Sequence, residues 1–357
     1  MKVSERFKVG ITRYRPTDAE DLAAFQRTAF GEDAKQLDKD RFAWMFERNP
    51  ARTDEGPGVW VCRRNGVVVG QQAEIPVDLV VDGQSQPAAW GIDLMVDPEW
   101  RLKGVGPGLM ATQLEAHDVV IGLTQAEEAF KSYMRGGWTD VGVVPVYVRP
   151  VDVKRFLRVA PVPGQARRLA PVAGPLLRGF DWVASRWLRA RGLRLVPVDR
   201  FDARVDEVWA AASGDYGVIA VRDAASTTWR LDDRPDADEL RRYYLMQGGQ
   251  AVGYLALRHR ERWGDQAAYI VDFLAPKRRI GALLLLAGRA ARRDGAFALV
   301  CRTLCHEVEQ SQLFVRTGID VAAPLHLVLN TSTNDLVADR LADRRSWFLT
   351  LADSDLS

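Results

Sequence analysis

The stretch Asp97-Pro98-Glu99-Trp100-Arg101-Leu102-Lys103-Gly104-Val105-Gly106-Pro107-Gly108-Leu109-Met110 sets two basic side chains and three glycines between a strand-like run and a helix-like one. A glycine-rich turn at a helix start leaves backbone N–H groups without intrahelical partners, and the helix dipole there favours negative charge. A phosphate suits such a turn. A tight strand-to-helix turn also calls for glycine on geometric grounds alone, so the surrounding sequence has to separate the two readings.

The 357 residues, 47% hydrophobic and 27% charged, have the composition of a globular chain long enough for two domains. A net charge of +2, from 49 basic and 47 acidic residues, is too balanced for a nucleic-acid binder, so no nucleic-acid partner is expected and any basic patch is local. The first residues, MKVSERFKVGITRYRPTDAEDL, lack the apolar run of a signal peptide, and no apolar stretch is long enough to span a bilayer. The expected location is the cytoplasm. Cys62, Cys301 and Cys305 are too few for a disulfide framework. Cys301, Cys305 and His306 match no common zinc spacing, so the two cysteines read as buried thiols and no metal is expected.

From Pro16 the pattern gives a helix over Asp18 to Phe30, with Thr17 as its cap, and a second helical piece from Asp40 to Glu47. Strands follow at Val59 to Arg63 and Val67 to Gly70, around an Asn65-Gly66 turn, and then at Ala73 to Val81 and Ala88 to Val96, around Asp82-Gly83. After the opening loop come a helix from Pro107 to Ala116, a strand at Val119 to Leu123, a helix at Ala126 to Arg135 and β segments to Val148. The second half repeats these landmarks in order. Trp44 and Pro50 recur as Trp229 and Pro235, Gly66 and Gly70 as Gly249 and Gly253, and Arg101-x-x-Gly104 as Arg278-x-x-Gly281. Tyr133-Met-Arg-Gly-Gly137 recurs as Phe314-Val-Arg-Thr-Gly318. A duplicated α/β fold with a mixed sheet is expected: an N-terminal domain over 1–150, a connector over 151–197 and a second copy over 198–357.

Arg101-Leu-Lys-Gly104-Val-Gly106 after the strand Gly91 to Val96, followed by Tyr133-Met-Arg-Gly-Gly137-Trp138, resembles the GNAT superfamily of acetyl-coenzyme-A-dependent N-acetyltransferases. The resemblance covers about residues 10 to 150, and 200 to 330 in weaker form, so it implies two tandem GNAT-like domains, the second degenerate. The ending Trp347 to Asp355 resembles GNAT-like proteins of bacterial surface-polysaccharide gene clusters. What the resemblance implies is an acyltransferase that moves an acetyl group from acetyl-CoA to a primary amine, such as that of an amino sugar, by direct attack.

On that resemblance Gly104, Val105, Gly106 and neighbouring amides cradle the coenzyme's pyrophosphate, with Arg101 and Lys103 adding charge. Leu94, Met95 and Val96 pair with the pantetheine arm, and an amide at or beside Met95 stabilises the oxyanion. Asp93 is the candidate base, with Glu74 as its substitute, and Tyr133 matches the position whose phenol protonates the leaving thiolate. Read as structure alone, Asp93 is a carboxylate bonded to backbone, Tyr133 a packing residue, and Arg101 and Lys103 a solvated turn. In the second copy Gly281 is followed by Ala282, leaving Gly106 without a counterpart; Phe314 replaces Tyr133, while Asp272 stands near the Asp93 position.

The connector holds ten basic residues between Lys154 and Arg194 against one acid, Asp181. Leu176, Leu177, Phe180, Val183, Trp187 and Leu188 recur at helical spacing, giving a basic amphipathic helix. It reads either as packing its Trp and Leu face onto the domains or as touching an anionic membrane from its cytoplasmic side. Two other functions fit the tandem pattern: an aminoacyl-tRNA-dependent transferase of related fold, and a non-catalytic coenzyme-binding scaffold or sensor. The phosphate loop favours coenzyme A.

Overall fold

The computed structural model describes residues 9–124, 126–161, 170–311, 313–316 and 324–354; Gly318 and Asp355, named above, lie outside these residues, as do Arg167 and Arg168, two of the connector's ten basic residues. In chain order the first elements are β1 (Ile11–Arg13), α1 (Ala19–Phe30), α2 (Lys39–Phe42), β2 (Val59–Arg64), β3 (Val67–Val81) and β4 (Gln84–Val96). Next come α3 (Val105–Ala116), β5 (Val119–Thr124), α4 (Glu127–Arg135), β6 (Thr139–Val143), β7 (Val146–Pro150), α5 (Val153–Val159), α6 (Ala170–Ala190) and β8 (Arg194–Val198). The second half contributes α7 (Arg204–Ala212), β9 (Val218–Ala220), α8 (Ala224–Thr227), β10 (Leu240–Gln247), β11 (Gln250–Arg262), β12 (Asp265–Leu274) and α9 (Lys277–Arg293). It ends with β13 (Ala298–Arg302), α10 (His306–Gln310), β14 (Val315–Arg316), β15 (His326–Thr331), α11 (Asp335–Ala342) and β16 (Trp347–Phe348).

The local chemistry is as the sequence implies. Asn65-Gly66 and Asp82-Gly83 both turn through positive φ (52° and 81°, 46° and 83°), the geometry that lets two-residue hairpins follow the twist of their strands. β5 begins with the apolar run Val119-Val120-Ile121, fully buried, as a strand covered on both faces must be. α2 runs on into a π-helical turn, Ala43–Glu47, that buries Trp44, Met45 and Phe46.

Two compact units result. Unit 1 comprises residues 1–143, 233–235 and 324–346; unit 2 comprises 144–232, 236–323 and 347–357. In unit 1 the strand order is β1-β2-β3-β4-β5-β15-β6, and in unit 2 it is β8-β10-β11-β12-β13-β7-β14. Along these orders all pairs are antiparallel except one in each, β4 with β5 in unit 1 and β12 with β13 in unit 2; the short strands β9 and β16 of unit 2, outside these orders, also pair parallel with each other. Position by position the two mixed sheets are the same. Their sixth places hold strands from the opposite halves of the sequence: β15 stands between β5 and β6, and β7 between β13 and β14. The two units therefore do not follow the linear boundary at residue 150.

The repeated landmarks fall on matching features. Trp229 lies in a second π-helical turn, Thr228–Asp232. A Cβ at Gly70 would stand 2.9 Å from Val105 Cγ1, and one at Gly253 would stand 2.9 Å from Ala275 Cβ. Two expectations need correction. Phe314 lies between α10 and β14 rather than on a helix like Tyr133, so the two aromatic residues are not equivalent in local structure. The connector helix does not pack its Trp and Leu face inward: Leu188 is buried, but Leu176, Phe180, Val183 and Trp187 are exposed.

Candidate active site

β3 and β4 stay paired to the end of β4, but the register shifts between Gln71 and Ala73, where β4 carries one extra residue. Asp93 sits in this bulge at φ 51°, a left-handed conformation that aspartate tolerates better than most side chains. Two consecutive glutamines lock it: Gln71 Nε2 donates to the Asp93 carbonyl (3.2 Å) and Gln72 Nε2 to the Ile92 carbonyl (3.0 Å). On its other side β4 pairs with β5 only from Ala89 to Gly91, the last partner being Gly122. Beyond that point no strand among the described residues lies beside Leu94, Met95 and Val96 on the β5 side, and their peptide groups border an open wedge.

The wedge leads to the opening loop. Pro98–Trp100 form a single 3-10 turn, capped by the Asp97 carboxylate accepting from the Glu99 N–H. Arg101 Nε donates to the Val96 carbonyl (3.2 Å), and Lys103 Nζ stands 5.0 Å over the Trp100 ring. Leu102 (φ 61°) and Gly104 (φ 86°) both take left-handed conformations, which turn the chain into α3 at Val105. Among the described residues no side chain caps this helix start. A Cβ at Gly106 would meet only Val96 Cγ2, at 3.7 Å, so internal packing does not require glycine there. Uncapped amides, a helix dipole and two cations close in sequence are the combination that suits an anion. The matching helix of unit 2 is closed: α9 already starts at Lys277, its first N–H donates to Asp215 Oδ2 (2.8 Å), and Gly281 lies inside the helix.

Tyr133 forms the far wall. Its ring packs 4.6 Å from that of Trp138, in a cluster with Met110, Val120, Val328 and Leu94. A Cβ at Gly122 would stand 3.5 Å from the phenolic oxygen, so the hydroxyl lies over the residue where β4 and β5 part. Burial pushes its pKa up to about 12. The phenol therefore stays protonated and able to donate across the neutral range.

The two carboxylates turn to opposite faces of the sheet. Glu74 points toward α3 and is fully buried; His117 Nε2 lies 2.8 Å from Oε1, Gln113 Nε2 and Trp60 Nε1 donate to Oε2, and Arg13 Nη2 is 3.8 Å from Oε1. Asp93 points toward the α1–α2 segment with 11% of its side chain exposed, accepting from Gln36 Nε2 (2.7 Å), with Arg41 Nη1 at 3.8 Å. Gln36, Arg41, Gln71 and Gln72 belong to no motif in the sequence. The signal for the last two was a pair of adjacent glutamines just after the apolar run Val67-Val68-Val69.

In unit 2, Asp272 occupies the corresponding place, two residues past the last parallel pair, Ile270 with Cys301. There the carboxylate is wholly committed: Arg222, Tyr254 and Thr350 all donate to it, and Arg222 also holds Asp353 (2.6 Å). This is what the described part of the ending does in the structure. Cys62, Cys301 and Cys305 are free, buried thiols. Among the described residues no group of three or more His, Cys, Asp or Glu is placed to hold a metal ion, and no helix is long and apolar enough to cross a membrane.

No curated protein matches the chain in sequence. Among solved structures it is similar to a GCN5-related N-acetyltransferase from Anabaena variabilis (TM-score 0.61, 14% identity, covering 90% of this chain and 72% of that one). It is also similar to one from Kribbella flavida (0.58, 14%, 89% and 70%). N-myristoyltransferase of Saccharomyces cerevisiae with bound myristoyl-CoA is similar as well (0.53, 13%, 88% and 76%). The family model described as an acetyltransferase (GNAT) domain matches residues 11–141, the segment that carries the wedge, the loop and Tyr133. Residues 11–141 are an acetyltransferase domain of the GNAT family.

Proposed function

We propose that the chain is an acyl-CoA-dependent N-acyltransferase with one working site, in unit 1. The observation that carries this is the uncapped start of α3 at Gly104, standing at the mouth of the wedge between β4 and β5 with Tyr133 opposite. A coenzyme's pyrophosphate suits the loop amides with Arg101 and Lys103, and its pantetheine suits the peptide groups of Leu94, Met95 and Val96 as an added strand would. Acetyl-CoA is the donor we assign; the yeast neighbour's myristoyl-CoA is a longer donor on a related fold.

In the reaction a neutral amine attacks the thioester carbonyl; the C–N bond forms and the C–S bond breaks. Asp93 takes the proton lost by nitrogen, directly or through water, and an amide at or beside Met95 faces the carbonyl oxygen. Tyr133 gives its proton to the departing sulfur and regains one from solvent. Glu74, saturated by its neighbours, holds α3 against β3. The acceptor we assign is an amino sugar of a surface polysaccharide, on the resemblance of the ending alone. Thermal unfolding with acetyl-CoA, free CoA and tRNA tests the donor. Stabilisation by both coenzyme forms, amounting to about 2.7 kcal/mol at a hundredfold excess over Kd, is expected. Stabilisation by tRNA alone would point to the aminoacyl-tRNA reaction instead.

A further inference from the structure

Helix α6 is built inside out. Its inward side carries Asp181 and Ser185, both buried; Asp181 is ion-paired with Arg149 of β7, and Ser185 donates to the Asp181 carbonyl. Arg149 passes α9 at Gly288, where a Cβ would stand 3.0 Å from Nη1. That buried pair fixes which way the helix faces, because turning it would strand two charges without partners. The outward side then shows Val172, Leu176, Phe180, Val183 and Trp187, an unbroken stripe at spacings of three and four, each residue more than half exposed. Exposed arginines at 178, 186, 189 and 191 flank it, and the one acid between 170 and 194 is the buried Asp181.

We propose that this face of α6 lies on an anionic lipid bilayer. A contiguous apolar stripe in water calls for a cover, and here the rim has only positive charge, so the cover must be negative. A second copy is a poor fit, since a symmetric contact sets the same arginines against each other. The helix is 21 residues long yet cannot span, so it lies in the surface plane. The Arg191 guanidinium stacks 3.6 Å over the Trp187 ring and that of Arg186 is 5.9 Å from Trp182, pairing aromatic body with cationic tip as headgroup-level residues do. At the end of the stripe, Arg191 joins Arg278 and Arg279 in lining a cavity of about 300 Å3, with room for a lipid phosphate.

Flotation of the full chain with vesicles of phosphatidylcholine, alone or mixed with phosphatidylglycerol, tests this. The protein should float with the mixed vesicles only, and less as salt is raised. Phe180→Ser with Trp187→Ser should reduce partitioning at least tenfold, and Arg186→Gln and Arg189→Gln about fivefold each. All four positions are exposed, and unchanged thermal unfolding would confirm that the fold persists. Absent flotation, equal flotation with both vesicle types, or binding indifferent to these changes would overturn the proposal. So would a dimer in sedimentation that the serine pair dissolves, which would give the face to a second copy.

Discussion

In the proposed reaction Tyr133 has two jobs that one oxygen atom separates. Its ring packs against Trp138, and only its hydroxyl faces the wedge, so Tyr133→Phe should leave the melting temperature and coenzyme affinity nearly unchanged. Turnover should fall about a hundredfold, the usual loss for a general acid, as measured by steady-state kinetics. The raised pKa adds a pH signature. The folded state keeps the phenolic proton to about pH 12, while the unfolded chain loses it near 10, so this group weakens stability as pH rises through that window. The turnover profile should show no decline from Tyr133 at pH 10. The carboxylates divide in the same way: Asp93→Asn should lower kcat at least tenfold with the fold intact. Glu74→Gln, which unbalances a buried cluster with His117 and Arg13, should cost about 1–3 kcal/mol in denaturant unfolding. Sequence alone left these two as alternatives, because the bulge at Asp93 that turns it to the α1–α2 face depends on glutamine contacts to a neighbouring strand.

At the level of elements, the opening loop was the most legible part of the chain. Its glycines and bases sit at a helix start, and the hairpin turns on either side of β3 fall where Asn65-Gly66 and Asp82-Gly83 place them, because turn chemistry is local. The matching loop of unit 2 misled: Arg278-x-x-Gly281 keeps the spacing while α9 begins before it, so the motif lies within a helix. For α3 the geometry makes a graded expectation. Gly106→Ala adds a methyl with room beside Val96 and should keep both stability and acetyl-CoA affinity, whereas Gly106→Leu should fold normally and lose affinity at least tenfold in calorimetry. The facing of α6 was hidden for a related reason: helical spacing shows which residues share a side, but the Arg149 to Asp181 pair, across 32 positions, decides which side is inward.

For the molecule as a whole, the duplication was readable from landmarks and the exchanged strands were not. Val146-Tyr-Val-Arg-Pro150 and His326-Leu-Val-Leu-Asn-Thr331 both suit a central antiparallel place, and nothing local says which sheet each joins. Because β15 fills the gap between β5 and β6, a chain ending at residue 150 lacks a central strand of unit 1 and should fail to unfold cooperatively on heating, despite containing every motif residue. In the proposed function unit 1 binds the coenzyme and unit 2 does not, and titration calorimetry with acetyl-CoA decides between one site and two. One site per chain is expected, abolished by Gly104→Val at the left-handed helix start and untouched by Gly281→Val inside α9. Two equivalent sites, or full affinity in Gly104→Val, would contradict it.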